Sequence, residues 1–106
     1  MRQGMDFGSL MKQANKMQED MKRVQKDLAE RVVEGSAGGG VVKVMATGSQ
    51  EVVSIKIDPA AVDPSDVGAL EDLVLAAINN ALKESRELSR REMESVTGGL
   101  GLPGMM

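Results

Sequence analysis

From residue 10 to residue 28 the apolar positions Leu10, Ala14, Met17, Met21, Val24 and Leu28 recur at alternating steps of four and three. That period of about 3.5 residues is the mark of a helix that lays a narrow seam against another long helix. The positions between them are almost all polar or charged: Lys12, Lys16, Glu19, Asp20, Lys22, Arg23, Lys26 and Asp27. The pattern predicts a helix from about Ser9, a suitable N-cap, to Ala29.

From Val32 to Asp58 the pattern changes to β-branched runs broken by glycine. Three antiparallel strands are predicted, over residues 31–35, 41–47 and 51–57, with turns at 36–40 and 48–50. In the second strand Val42, Val44 and Ala46 alternate with Lys43, Met45 and Thr47; in the third, Val53, Ile55 and Ile57 alternate with Ser54, Lys56 and Asp58. Such alternation predicts a sheet with one buried face. Asp58-Pro59 and Asp63-Pro64 then turn the chain.

A second helix is predicted to begin between Asp66 and Ala69 and to end near Val96, with Thr97-Gly98-Gly99 as its stop. Leu70, Leu73, Val74, Ala77, Ile78, Ala81 and Leu82 give its first half a wide apolar face. Its second half thins to Leu88, Met93 and Val96 among alternating charges.

These elements make an α+β chain: long helix, three-stranded antiparallel sheet, long helix. Residues 9–97 read as a single domain, 1–8 as an N-terminal extension and 98–106 as a flexible C-terminal tail. A seven-residue strand spans roughly 23 Å, whereas helices of about 21 and 29 residues span roughly 31 and 43 Å. Both helices therefore overhang the sheet. The first half of the heptad seam is expected to pack on the end of the second helix and form a projecting arm.

Composition sharpens the packing. With one Phe, no Trp or Tyr and nine Met in 106 residues, apolar contacts rest on flexible, adaptable side chains, which suit helix seams and subunit interfaces. A homodimer is expected. The absence of Cys and His removes disulfides, thiolate nucleophiles and the common neutral-pH general base. No enzymatic activity, metal or cofactor is expected. No apolar run approaches a membrane span or a signal peptide, so a cytoplasmic protein with no membrane partner is expected.

The net charge of −3 argues against nucleic-acid binding, but its distribution matters more. Residues 1–18 carry +2 and residues 82–106 carry zero. Residues 19–81 hold 6 basic and 11 acidic side chains. The overhanging parts are the least acidic, and they carry the candidate phosphate contacts: Lys12 and Lys16 first, then Arg86, Arg90 and Arg91, then Lys22, Arg23 and Lys26. On spacing alone a solvated helix face is the favoured explanation of either group, more so for the arginines interleaved with Glu, and neither has aromatic partners for base stacking.

Two other clusters are weaker. The run from Gly35 to Gly40 lacks the Gly-Lys-Ser/Thr ending of a phosphate loop, and a strand follows it, so a hairpin is favoured over a phosphate cradle. Asp58, Asp63 and Asp66 could be imagined as a metal site, but turn and capping roles account for them.

Five stretches in order, residues 10–21 (LMKQANKMQEDM), 33–44 (VEGSAGGGVVKV), 53–59 (VSIKIDP), 70–81 (LEDLVLAAINNA) and 96–103 (VTGGLGLP), resemble the bacterial YbaB/EbfC nucleoid-associated proteins. The resemblance implies a tweezer-like homodimer that binds double-stranded DNA through its helical arms, in the nucleoid, affecting nucleoid organisation and gene expression. It carries no catalytic or metal motif. Low or shape-dependent sequence specificity is expected, since none of the arm cations stands out as a base reader. The alternative is a protein–protein adaptor whose seam docks replication or repair proteins, a reading that the acidic net charge suits.

Overall fold

A computed structural model describes residues 7–98. Helix α1 spans Phe7–Glu30, strands β1, β2 and β3 span Val32–Ala37, Val42–Thr47 and Val52–Ile57, and helix α2 spans Val67–Gly98. Short 3-10 turns at Gly38–Gly40 and Pro59–Ala61 punctuate the chain. Ser9 lies inside the first turns of α1 instead of preceding them, and α2 continues through Gly98, past its predicted stop. Residues 1–6 and 99–106, with most of the expected extension and tail, lie outside the described residues.

The three strands form one antiparallel sheet in the order β1-β2-β3. Val42, Val44 and Ala46 of β2 are fully buried against Ala77 and Ala81 of α2, so small side chains on the helix let it approach the sheet closely. The approach is tightest at Gly35 of β1. A Cβ there would collide with the Ala81 backbone nitrogen and lie 2.6 Å from Ala81 Cα. Glycine is the residue this crossing admits.

The third strand departs from expectation. All six of its residues are exposed, although Ile55 and Ile57 lie opposite the buried Val44 and Val42 and so share their face. The reason is placement: α2 lies over β1 and β2 and leaves that face of β3 uncovered. A bulge adds a second correction. Ser54 pairs with Met45 and Val52 with Ala46, so Val53 is an extra residue and Val52 takes the position expected for it.

Turn chemistry accounts for the aspartates. Asp58 Oδ1 accepts from the Ala60 amide at 2.9 Å, Asp63 Oδ1 from the Ser65 amide at 3.0 Å and hydroxyl at 2.7 Å, and Asp66 Oδ1 from the Ala69 amide at 3.2 Å, which caps α2. The Ser65 hydrogen bonds hold the Asp63 carboxyl below the usual carboxylate range.

At the other end of the sheet, the fully buried Ser85 of α2 donates to Thr47 O at 2.6 Å and accepts from the Gln50 amide at 3.0 Å. It thereby stitches the β2–β3 turn, where Gln50 sits at φ 62°, to the helix. Nearby, the Gly48 amide donates to Leu28 O at 2.8 Å and ties down the end of α1.

Candidate nucleic-acid interface

Past the sheet α1 and α2 run antiparallel and project, giving a body 77 Å long and 25 by 16 Å across. Leu28 and Leu88 are buried. Arg31 bridges the helices, with Nη1 3.7 Å from Asp27 Oδ2 and 3.3 Å from Glu92 Oε2. Farther out, Val24 and Met17 of α1 share a cleft of about 340 Å³ with Ser95 and Val96 of α2.

The expected pairing of the seam is corrected here. The last four of the six seam positions, Met17, Met21, Val24 and Leu28, are buried or half-buried, while Leu10 and Ala14 are exposed. The cause is length: α1 begins at Phe7, nearly two turns before Gln13, the outermost α1 residue of the cleft shared with Val96. Its outer part is a single helix bearing Phe7, 74% exposed, and Leu10, 44% exposed.

At about 100° per residue, Lys12, Lys16, Arg23 and Lys26 fall within one broad stripe of α1 turned away from the apolar seam, and Lys16 and Arg23 at its edge also line the cleft shared with Ser95 and Val96 of α2. Lys22 flanks that stripe, and Glu19 interrupts it. All five cations are exposed. Asp20 restrains two of them, with Oδ1 2.8 Å from Arg23 Nη2 and Oδ2 3.8 Å from Lys16 Nζ. Lys12, Lys22 and Lys26 make no ion pair among the described residues.

On α2 the cations form a separate face. Arg86 and Arg90 point away from α1 by the same helical phase, and Arg91 lies to one side. Arg90 is clamped by Glu87 at 3.0 Å and Glu94 at 3.1 Å. The hydrogen bond and charge of Arg90 hold the Glu87 carboxyl below its usual range. Lys83, one helical turn before Arg86 and exposed, belongs to this face too; its i,i+3 spacing from Arg86 was the available signal.

The eight candidate residues are thus not one surface. Lys12, Lys16, Arg23, Lys26 and the flanking Lys22 belong to α1, with Lys16 and Arg23 on the rim of the cleft shared with α2. Arg86 and Arg90 lie on the side of α2 away from α1, with Arg91 on its flank. The α1 stripe is the more available to phosphate, because its outer part, with Lys12, stands clear of α2. The arrangement can neutralise a polyanion along a helix. Among the described residues no group of three or more acidic side chains is placed to hold a metal ion, and no helix is long and apolar enough to cross a membrane.

Comparison with known proteins follows the same line. The model of the YbaB/EbfC DNA-binding family matches residues 3–100. The chain is 59% identical over 99 residues to a nucleoid-associated protein of Moorella thermoacetica, covering 93% of this chain and 95% of that one. It is 50% identical over 102 residues to a nucleoid-associated protein of Pelotomaculum thermopropionicum, covering 96% and 97%. The crystal structure of an uncharacterized protein from Helicobacter pylori has the same fold, with a TM-score of 0.73 at 24% identity over 83% of this chain and 92% of that one.

Proposed function

The chain belongs to the YbaB/EbfC DNA-binding family, and from that premise we propose that it acts in the bacterial nucleoid as a homodimer whose projecting arms hold duplex DNA. The observation that carries this reading is the row of exposed cations Lys12, Lys16, Arg23 and Lys26 along α1, turned away from the seam that braces the arm. These side chains contact phosphates. The arm offers no aromatic side chain for stacking beyond Phe7 at its tip, so specificity is low or shape-dependent, and the effect on gene expression follows from nucleoid organisation.

The homodimer is supported by the uncovered face of β3. Ile55 and Ile57 are 44% and 38% exposed there, and Leu75, 60% exposed, lies on the flank of α2 shared with Ile78 and Leu82. Ser85 continues that flank and bonds to the β2–β3 turn, so the flank and the open face of β3 border the same end of the sheet. A second copy packed there would remove Ile55, Ile57 and Leu75 from water.

The decisive measurement is duplex affinity as a function of salt for the wild type and for Lys12→Glu/Lys16→Glu, both checked for folding and oligomeric state. Loss of affinity with a shallower salt dependence is expected. Unchanged affinity in a folded variant overturns the assignment.

A second reading, a protein–protein adaptor for replication or repair proteins, is favoured by the exposed Phe7, Leu10 and Met11 at the arm tip. Partners retained from nuclease-treated lysate by the wild type, and lost by Phe7→Ser/Leu10→Ser, would support it.

A further inference from the structure

The arm is not the only place where cations gather. On the face of the sheet turned away from α2, the β2–β3 register sets Lys43 directly opposite Lys56, with Ser36 on the other side of Lys43. Residues so placed have Cβ atoms about 5 Å apart, and like charges there destabilise the strand pair. Neither lysine makes an ion pair among the described residues, so nothing there offsets the like charge across the strands. Glu34 shares the face but lies opposite Met45, and it makes no ion pair with either lysine. This juxtaposition stands in the most acidic third of the chain, where a fortuitous pair of uncompensated cations is least expected.

The surroundings leave the pair open to a large ligand. Both lysines are exposed, and no helix lies over that face. The adjoining hairpin tip is Gly38–Gly40, with φ of 65°, 72° and 99°, and the Lys43 Cε lies 3.8 Å from where a Gly40 side chain would begin. The lysine stem thus lies against a turn that has no side chains to fend off an approaching backbone. The chemistry is two mobile ammonium groups, a hydroxyl and no aromatic ring, which suits phosphate oxygens and not base edges.

The position separates this patch from the arm. Lys43 is at the hairpin end of β2, while the end of α1 docks at Gly48, beyond the other end of the strand. We propose that Lys43 and Lys56 form a second contact surface for the phosphate backbone of duplex DNA, so that one molecule held to a duplex by its arms can engage another duplex segment. This rests on the DNA-binding reading above and goes beyond it.

The test uses the full-length protein with one random-sequence duplex fixed to beads and a second, fluorescent copy in solution. Binding of protein to the fixed duplex and capture of the fluorescent duplex are read separately, for the wild type and for Lys43→Gln/Lys56→Gln. The variant is expected to keep its affinity for the fixed duplex within about twofold while capture falls about tenfold and loses salt dependence, as removal of two phosphate contacts requires. Equal capture by wild type and variant overturns the proposal, as does a wild type that binds but captures nothing. A variant that loses both activities also overturns it, by making the sheet the primary site. A wild type that does not bind the fixed duplex refutes instead the DNA-binding reading itself.

Discussion

Gly35 of β1 meets Ala81 of α2 so closely that a Cβ on the strand would stand 2.6 Å from the helix Cα. The helix can sit this low only because both partners are small, and its depth determines how Val42, Val44 and Ala46 are sealed. Gly35→Ala forces backbone apart from backbone, which no rotamer change relieves. A loss of about 3 kcal/mol is expected, read as a lower urea midpoint, with Ala76→Gly on the exposed side of the same helix as a milder control of about 1 kcal/mol.

That contact also shows what was legible in the sequence. The alternation in β2 and the apolar face of α2 are local patterns, and they identified the two surfaces that meet at Gly35. The pattern of β3 was equally apolar, yet its residues are exposed, because alternation reports which side is apolar and not whether a helix is wide enough to cover it. The bulge at Val53 was hidden for a related reason: Val52 and Val53 fit either register equally well. In the candidate interface, the cationic stripe of α1 followed from helical spacing. That Lys16 and Arg23 border a cleft with Ser95 and Val96, while Arg86 and Arg90 face away from α1, depends on how two helices face each other, which spacing within one helix does not determine.

The open face of β3 makes the homodimer testable apart from DNA. Ile55→Glu/Ile57→Glu places two carboxylates per protomer where a second copy would bury them, at positions already exposed in one protomer. Sedimentation at micromolar concentration is expected to show a folded monomer for the variant and a dimer for the wild type. A variant that stays dimeric moves the interface elsewhere, to the exposed seam of α1 in the first instance.

Acid should loosen the outer face of α2 in a defined window. The Arg90 hydrogen bond, and then its charge, hold the Glu87 carboxyl below its usual range in the folded chain. The unfolded chain therefore binds the proton first, and the stabilisation from this pair is present above the unfolded value, about 4.3. It is lost as pH falls through the lower folded value. Carbon-detected NMR titration of Glu87 should give a midpoint below that of an unfolded reference peptide, and Arg90→Gln should move it up. No change in the midpoint for Arg90→Gln would mean that the ion pair does not persist in solution.

Asp20 and Glu87 restrain cations on the two different helices of the arm, and releasing them tells which helix meets DNA. Asp20 holds both Lys16 and Arg23; Glu87 and Glu94 hold Arg90. Asp20→Asn frees two cations on the α1 stripe and removes one negative charge per protomer. Glu87→Gln/Glu94→Gln frees one arginine and removes two charges. On net charge alone the second variant should bind duplex DNA more tightly than the first. If the α1 stripe is the contact surface, the order reverses, because a charge at the interface acts on phosphate at short range while one facing away from α1 is screened within a Debye length of about 8 Å at physiological salt. We expect Asp20→Asn to raise affinity several-fold with a steeper salt dependence, and the double variant to change it less than twofold. The opposite order would place the duplex against α2 and make Lys83, Arg86 and Arg90 the primary contacts.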